Sequence, residues 1–258
     1  MIEEFNILKC FRDENVEVID TVVEESPLTI IVNNREYITI MCTPIYLEEL
    51  TVGFLFNEGL IKSKEDILNL SIVSEKNNIA TVTLKNEIDF SDLYHDRVIT
   101  SGSKGSLYYK AMNFMDELTF TNDIKISKSE IMDTMKDFFT RSKLFENTGG
   151  VHSVLLKNKS LEVFREDIGR HNAIDKGVGH LILNSIPIDD FAIYVSGRLS
   201  SEMISKISKA GISVAISRAC LTSLSVKLAR KMNMTVIGFS RGDRFNIYSA
   251  KERIDVNE

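Results

Sequence analysis

The chain has 258 residues, 43% hydrophobic and 26% charged, a balance that excludes wholesale disorder and allows one large domain or two small ones. Thirty-one Lys and Arg against 37 Asp and Glu give a formal charge of −6, which argues against broad binding to nucleic acid or anionic membrane. Cys10, Cys42 and Cys220 are odd in number and far apart, so they outline no disulfide framework and fit a reducing compartment. The first twenty residues carry a charge every few positions, unlike a secretory signal, and no run of about 18 apolar residues occurs. The expectation is a soluble cytoplasmic protein without a membrane span.

In chain order, Val16–Val23, Leu28–Val32 and Glu36–Ile40 alternate or are β-branched and predict strands, with Asn33–Asn34 as a turn between the last two. Beyond Pro44, Leu47, Leu50, Phe54 and Leu55 fall at helical spacing within Tyr46–Glu58, Glu48 and Glu49 lie near the positive helix end, and Gly59 is placed to stop the helix. Ile79–Leu84 predicts a strand, and Val98–Thr100 another that leads into the polar run Ser101–Gly102–Ser103–Lys104–Gly105–Ser106. Helical periods follow in Leu107–Leu118 and Ser129–Ser142. From Val151 the rhythm is strand (Val151–Lys157), strand (Leu161–Arg165), helix (His171–Leu183), strand (Phe191–Val195) and helix (Ser201–Ala210). Then come strand (Ser213–Ser217), helix (Leu221–Met232), strand (Thr235–Phe239) and strand (Phe245–Tyr248). Short apolar strands between amphipathic helices predict a mainly parallel sheet covered on both faces. The expected division is a small α+β module over residues 1–106 and an α/β domain over 107–258.

Ligands of open α/β sheets gather beyond the carboxyl ends of strands. The loops expected there are rich in glycine, arginine and histidine: Thr148–His152, Glu166–Asn172, Ser196–Glu202 and Phe239–Arg244. Small residues let backbone approach a ligand, and Arg or His binds oxyanions. Each loop also has a plainer reading. Gly169 can end a strand, Ser196–Gly197 can be a turn, Asp167 with Arg170 a turn-fixing salt bridge, Asp243 with Arg244 a solvated pair, and His152 a structural histidine. Recurrence at successive strand ends favours a phosphate-rich ligand. His171, Asp175 and His180 fall short of a zinc set without a cysteine pair, and no G-x-S-x-G elbow marks a nucleophilic serine.

Taken together, TGGVHS (Thr148–Ser153), EDIGRHNAIDK (Glu166–Lys176), SGRLSSEM (Ser196–Met203) and GFSRGDRFNIY (Gly238–Tyr248) resemble the FdhD family of accessory sulfur carriers for formate dehydrogenase. Cys42–Ile61 resembles that family's amino-terminal signature. The resemblance implies a three-layer, cytidine-deaminase-like carboxy-terminal domain preceded by a smaller α+β domain. A deaminase carries H-x-E and P-C-x-x-C at two helix starts; here those places read His171–Asn172–Ala173 and Arg198–Leu199–Ser200–Ser201, so the zinc chemistry is not expected. The resemblance further implies a sulfurtransferase-like role, moving persulfide sulfur from a cysteine desulfurase to the molybdenum cofactor in its bis(molybdopterin guanine dinucleotide) form. Phe239, Ser240, Arg241, Gly242, Asp243 and Arg244, aided by Arg198 and His171, would bind that cargo. A homodimer is implied on the same ground.

One departure stands out. Many family members carry C-x-x-C in the loop between the modules, where this chain has Ser101–Ser106. The sulfur-carrying position falls at Ser103, or at Ser101 in the alternative alignment, and a serine hydroxyl holds no persulfide. Cys42 and Cys220 have apolar or β-branched neighbours and read as buried, inert thiols. Three readings stay open: a sulfur carrier, a cofactor-binding chaperone without sulfur relay, and a nucleotide enzyme on a deaminase scaffold.

Overall fold

The computed structural model describes residues 1–74, 78–88 and 118–257. An antiparallel hairpin, β1 (Ile2–Cys10) and β2 (Asn15–Val23), opens the chain and pairs with no other strand among the described residues. Next come β3 (Ser26–Val32) and β4 (Arg35–Cys42), joined through Asn33 and Asn34 at φ 48° and 65°. A two-residue hairpin requires left-handed backbone at both central positions, which Asn tolerates. With β5 (Ile67–Val73) and β6 (Asn78–Leu84) they form a four-stranded sheet of order β4-β3-β6-β5. Leu28, Ile30 and Val32 from β3 and Ala80, Val82 and Leu84 from β6 point to one buried face, as period-two alternation dictates. That face is covered by α1 (Leu47–Asn57).

The second sheet has six strands: β8 (His152–Lys157), β9 (Glu162–Asp167), β10 (Ala192–Val195), β11 (Val214–Ser217), β12 (Thr235–Arg241) and β13 (Arg244–Ser249). Their order is β13-β12-β11-β10-β8-β9. The sequence predicted a mainly parallel sheet, but only β10, β11 and β12 run parallel; β8, β9 and β13 join by antiparallel ladders. Residues 158–161 and 242–243 are too short for a crossover, so they can only turn the chain back. The predicted cover on both faces is present. On one side Ile131, Met135 and Phe138 of α2 (Lys128–Thr140) pack on Leu155, Tyr194, Ile216 and Ile237. On the other, Val154, Leu156, Ile193 and Val236 pack with α4 (Arg170–Leu183), α5 (Ser201–Lys209) and α6 (Ser223–Lys231). A short α3 (Lys143–Thr148) precedes β8, and β7 (Ile126–Ser127) pairs with β14 (Ile254–Asp255). The fold is mixed α/β.

The two sheets share one core through an α1–α4 seam. A Cβ on Gly53 would lie 1.8 Å from the carbonyl oxygen of Asp175, and one on Gly179 would lie 1.9 Å from that of Glu49. The helix backbones are therefore in contact, an approach only glycine permits. Leu50 and Leu55 of α1 join Ile174, Val178 and Leu181 of α4 in a continuous buried cluster. The predicted boundary at residue 106, the strand Val98–Thr100, nearly all of the helix Leu107–Leu118, and both Ser101 and Ser103 lie outside the described residues. The sequence reading missed β1, β5 and α3. Glu3, Glu4 and Lys9 interrupt the apolar pattern of β1, a strand exposed on both faces.

Candidate functional site

The seam accounts for much of EDIGRHNAIDK. Asp167, fully buried at the end of β9, accepts hydrogen bonds from the Thr43 amide (3.2 Å) and hydroxyl (3.0 Å), the Gly169 amide (2.8 Å) and Asn172 Nδ2 (2.9 Å). Its ionic partner is Lys176, 2.6 Å away and equally buried, whose ammonium also donates to the Thr43 hydroxyl and carbonyl and the Glu166 carbonyl. The turn-fixing bridge expected between Asp167 and Arg170 thus runs to Lys176 instead. Asp175 accepts from Asn57 Nδ2 (2.7 Å) and Lys206 (2.7 and 2.5 Å), while burial pushes its carboxyl up and the Lys206 ammonium opposes that shift. Glu49 ties Arg165 to His180. These charges hold helices together, because an ion taken out of water persists only with a close partner.

The chemistry-bearing surface lies at one edge of the large sheet. Because β8 runs antiparallel to β10 and β9 to β8, the amino end of β8 meets the carboxyl ends of β9, β10, β11 and β12. Main-chain bonds stitch the intervening loops together. The Leu199 amide donates to the Cys220 carbonyl (3.1 Å), the Phe239 amide to the Ala219 carbonyl (3.0 Å), and the Ser217 hydroxyl to the Gly197 carbonyl (2.7 Å). Arg241 Nε donates to the Arg218 carbonyl (3.0 Å). Arg198, Arg218, Arg241 and Arg244 are all exposed there. The helices α4, α5 and α6 begin at this edge. Ser200 and Thr222 cap the latter two with side-chain bonds, whereas α4 begins at Gly169 with no side-chain cap.

A cavity of about 260 Å³ opens beside these loops on the α2 side. Phe138, Phe139 and Phe145 form its apolar wall; His152, Ser196 and Arg218 are among its polar lining groups. The Arg218 guanidinium lies 4.3 Å above the Phe139 ring centre, a cation–π contact that fixes the side chain. Ser196 Oγ accepts from the Ser153 amide (3.0 Å) and stands 3.3 Å from His152 Nδ1. Burial lowers the His152 pKa below 6.5, and the neighbouring Arg170 guanidinium lowers it further, so the imidazole is neutral at pH 7. Glu166 is held by the Ser142 and Ser153 hydroxyls behind the cavity. Gly149 caps α3 at φ 63°, its amide donating to the Phe145 carbonyl (2.7 Å) and turning the chain into β8. Aromatic walls with a few directional polar groups suit a planar ligand carrying an anion.

The eight residues expected to bind cargo are placed as follows. Arg241, Gly242, Asp243 and Arg244 occupy the exposed β12–β13 turn, with Gly242 at φ 55°. Phe239 is partly exposed in a left-handed conformation (φ 53°), which a non-glycine residue adopts at a cost of about 1 kcal/mol, within an irregular stretch of the β12–β13 ladder. Ser240 is 2% exposed inside β12. Arg198 projects from the loop after β10. His171 lies on the α4–α5 side, with Nε2 3.2 Å from Glu202 Oε2. None of the eight lines the cavity; Arg241 reaches it through Arg218. The sequence reading did not single out Arg218, Phe139 or Phe145. Arg218 could have been found, since it follows β11 as Arg198 follows β10.

Cys42 is fully buried, and its thiol is pushed up to about 12 by burial, with Asp167 adding to the shift. Cys220 is partly exposed, in the loop after β11. Among the described residues no helix is long and apolar enough to cross a membrane.

The sequence profile described as the FdhD/NarQ family matches residues 23–255. A Bacillus pumilus protein named sulfur carrier protein FdhD is 41% identical over 238 residues, covering 91% of this chain and 90% of that one. Its namesake from Staphylococcus haemolyticus is 37% identical over 257 residues, covering 98% and 97%. Among solved structures, a Desulfotalea psychrophila protein described as a formate dehydrogenase accessory protein superposes with a TM-score of 0.81 at 29% identity, over 98% of this chain and 99% of that one.

Proposed function

Because the chain belongs to the FdhD/NarQ family, we propose that it is a sulfur carrier for formate dehydrogenase and that its strand-tip edge binds the guanine dinucleotide form of the molybdenum cofactor. One observation carries the ligand reading. Arg198, Arg218, Arg241 and Arg244 emerge from loops bonded to one another at one sheet edge, beside a cavity walled by phenylalanines. Diphosphate oxygens suit guanidinium forks and the uncapped start of α4, while a purine fits against Phe139 and Phe145 with His152 and Ser196 as hydrogen-bonding neighbours. Phe239 offers a second aromatic face outside the cavity.

The sulfur step needs a thiolate that attacks the outer sulfur of the desulfurase persulfide and leaves the desulfurase cysteine as thiolate. Neither Ser101 nor Ser103 can do this, and the burial of Cys42 disfavours its ionised form. That favours, as a second reading, a chaperone that presents the cofactor without relaying sulfur. The strand order, with a hairpin of β8 and β9 followed by three helix–strand units, supports a cytidine-deaminase-like scaffold. Its zinc-ligand places read His171–Asn172–Ala173 and Arg198–Leu199–Ser200–Ser201. A cytoplasmic location agrees with cysteines that form no disulfide among the described residues.

Calorimetry with GDP, as a fragment of the cofactor, tests the site. Saturable heat is expected, weakened about tenfold or more in Arg241→Ala, as for a lost charge-assisted bond. No heat, with or without a cysteine desulfurase, overturns the ligand reading. Complementation of a strain lacking its own sulfur carrier, with the natural chain and with Ser103→Cys, separates the two readings: rescue by the variant alone restores the relay at that position.

A further inference from the structure

A chain that carries sulfur needs a thiol to hold it, and this sequence offers only Cys10, Cys42 and Cys220. Cys10 is exposed, but it ends β1, about 26 Å along the strand from Ile2, whose partner Val23 packs against Gly150 at the base of the hairpin. Cys42 is fully buried, and burial beside the Asp167 charge pushes its thiol up to about 12. Cys220 was expected to be buried and inert between Ala219 and Leu221, yet it is partly exposed. Residues 218–222 form the middle loop of the strand-tip edge. On one side the Cys220 carbonyl accepts from the Leu199 amide (3.1 Å), the Thr222 amide donates to the Leu199 carbonyl (3.2 Å), and Leu199 and Leu221 make a single parallel bridge. On the other, the Ala219 carbonyl accepts from the Phe239 amide and the Arg218 carbonyl from Arg241 Nε, both at 3.0 Å. From within, Ser217 Oγ accepts from the Ala219 amide (2.9 Å). Cys220 is therefore fixed between the loop of Arg198 and the strand end of Phe239 and Arg241, two residues from Arg218.

We propose that Cys220 is the sulfur-accepting residue of this chain, in place of a thiol at Ser101 or Ser103. The assignment rests on the sulfur-carrier reading and supplies the residue that reading lacks. The Cys220 thiolate attacks the outer sulfur of a cysteine desulfurase persulfide. A bond forms between Cys220 Sγ and that sulfur, the donor's S–S bond breaks, and the desulfurase cysteine leaves as thiolate. The Cys220 proton passes to water, which reaches a partly exposed thiol, and the exchange involves no net oxidation or reduction. Reactive cysteines sit at partly exposed places among positive charges, whereas buried thiols are inert, and of the three only Cys220 has both the exposure and the arginines. Sulfur held there stands beside Arg198, Arg218 and Arg241, the groups proposed to bind the anionic cargo.

Incubation of the full chain with a cysteine desulfurase and cysteine carrying radioactive sulfur tests this. About one thiol-reducible sulfur per chain is expected, mapped by mass spectrometry to the peptide that contains Cys220. Cys220→Ser should lower the label about tenfold or more, because a hydroxyl holds no persulfide, while Cys10→Ser should keep it. The peptide map is made on the natural chain, so it decides the matter whether or not the Cys220→Ser protein folds normally. Label that persists in Cys220→Ser, or that maps to Cys10 or Cys42, overturns the assignment and leaves the sulfur-carrier reading standing. No label on any cysteine overturns both and leaves the chaperone reading. GDP titration of the natural chain reads the ligand site separately, so failure of one proposal is not failure of the other.

Discussion

The α1–α4 seam and the strand-tip edge are built from the same kinds of residue and do opposite things with them. At the seam Asp167, Asp175 and Lys176 are at most 1% exposed, each charge met by a partner, with Gly53 and Gly179 letting two helix backbones touch. At the edge Arg198, Arg218, Arg241 and Arg244 face solvent, and Gly242 turns a hairpin. One stretch, Glu166–Lys176, supplies both regions: Asp167, Asn172, Asp175 and Lys176 go into the seam, while Gly169, Arg170 and His171 lie towards the edge. A distinctive motif is therefore not a list of ligand contacts; half of this one is buried in the seam and positions the loop that carries the other half.

The sharpest way to break this contrast is to remove a buried partner. Lys176→Met leaves the buried Asp167 carboxyl without its ammonium partner and should cost about 3–5 kcal/mol, read as a shift in urea midpoint. Asp167→Asn added to it should recover part of the loss. Gly53→Ala comes next: its methyl would lie against the Asp175 carbonyl, so the helices must part, at about 3 kcal/mol. Normal stability in either variant would mean that the seam is not as close as described.

Arg218→Ala should do the reverse. Stability should change by less than about 0.5 kcal/mol, since the side chain is exposed, while GDP affinity falls about tenfold. A large loss of stability with unchanged affinity would move Arg218 from the edge to the framework. The smallest effect is a pH dependence at His152. Its folded pKa lies below 6.5, so the unfolded chain takes up the proton first as pH falls. The stability it contributes is full above pH 6.5 and is lost as pH drops through the lower folded value. His152→Asn should flatten that part of a stability–pH curve, and an unchanged slope would remove the buried neutral imidazole.

Much of the fold was legible because local periodicity reports which face of an element is buried. Leu47–Asn57, Arg170–Leu183 and Ser201–Lys209 were each predicted to within about two residues at either end. The parallel reading of the large sheet failed at β8, β9 and β13, since continuous apolar strands look alike whether their neighbours run up or down. The strand β1 was missed because nothing in its own chain buries it. At the edge, Arg198 and Arg241 were legible from glycine and arginine at strand ends. The cavity was not, because its aromatic wall comes from α2, where Phe138 and Phe139 read as ordinary helix residues, and from Phe145 of α3, a helix the sequence reading missed.

By itself the sequence determined the order and period of the elements, the turn at Asn33–Asn34, and the loops that bring arginine to strand ends. Only the tertiary structure decided which charges are buried partners and which face solvent. Burial is settled between residues far apart in the chain, as with Glu49 and Arg165, separated by 116 positions, or Thr43 and Asp167, separated by 124. No local pattern contains both members of such a pair.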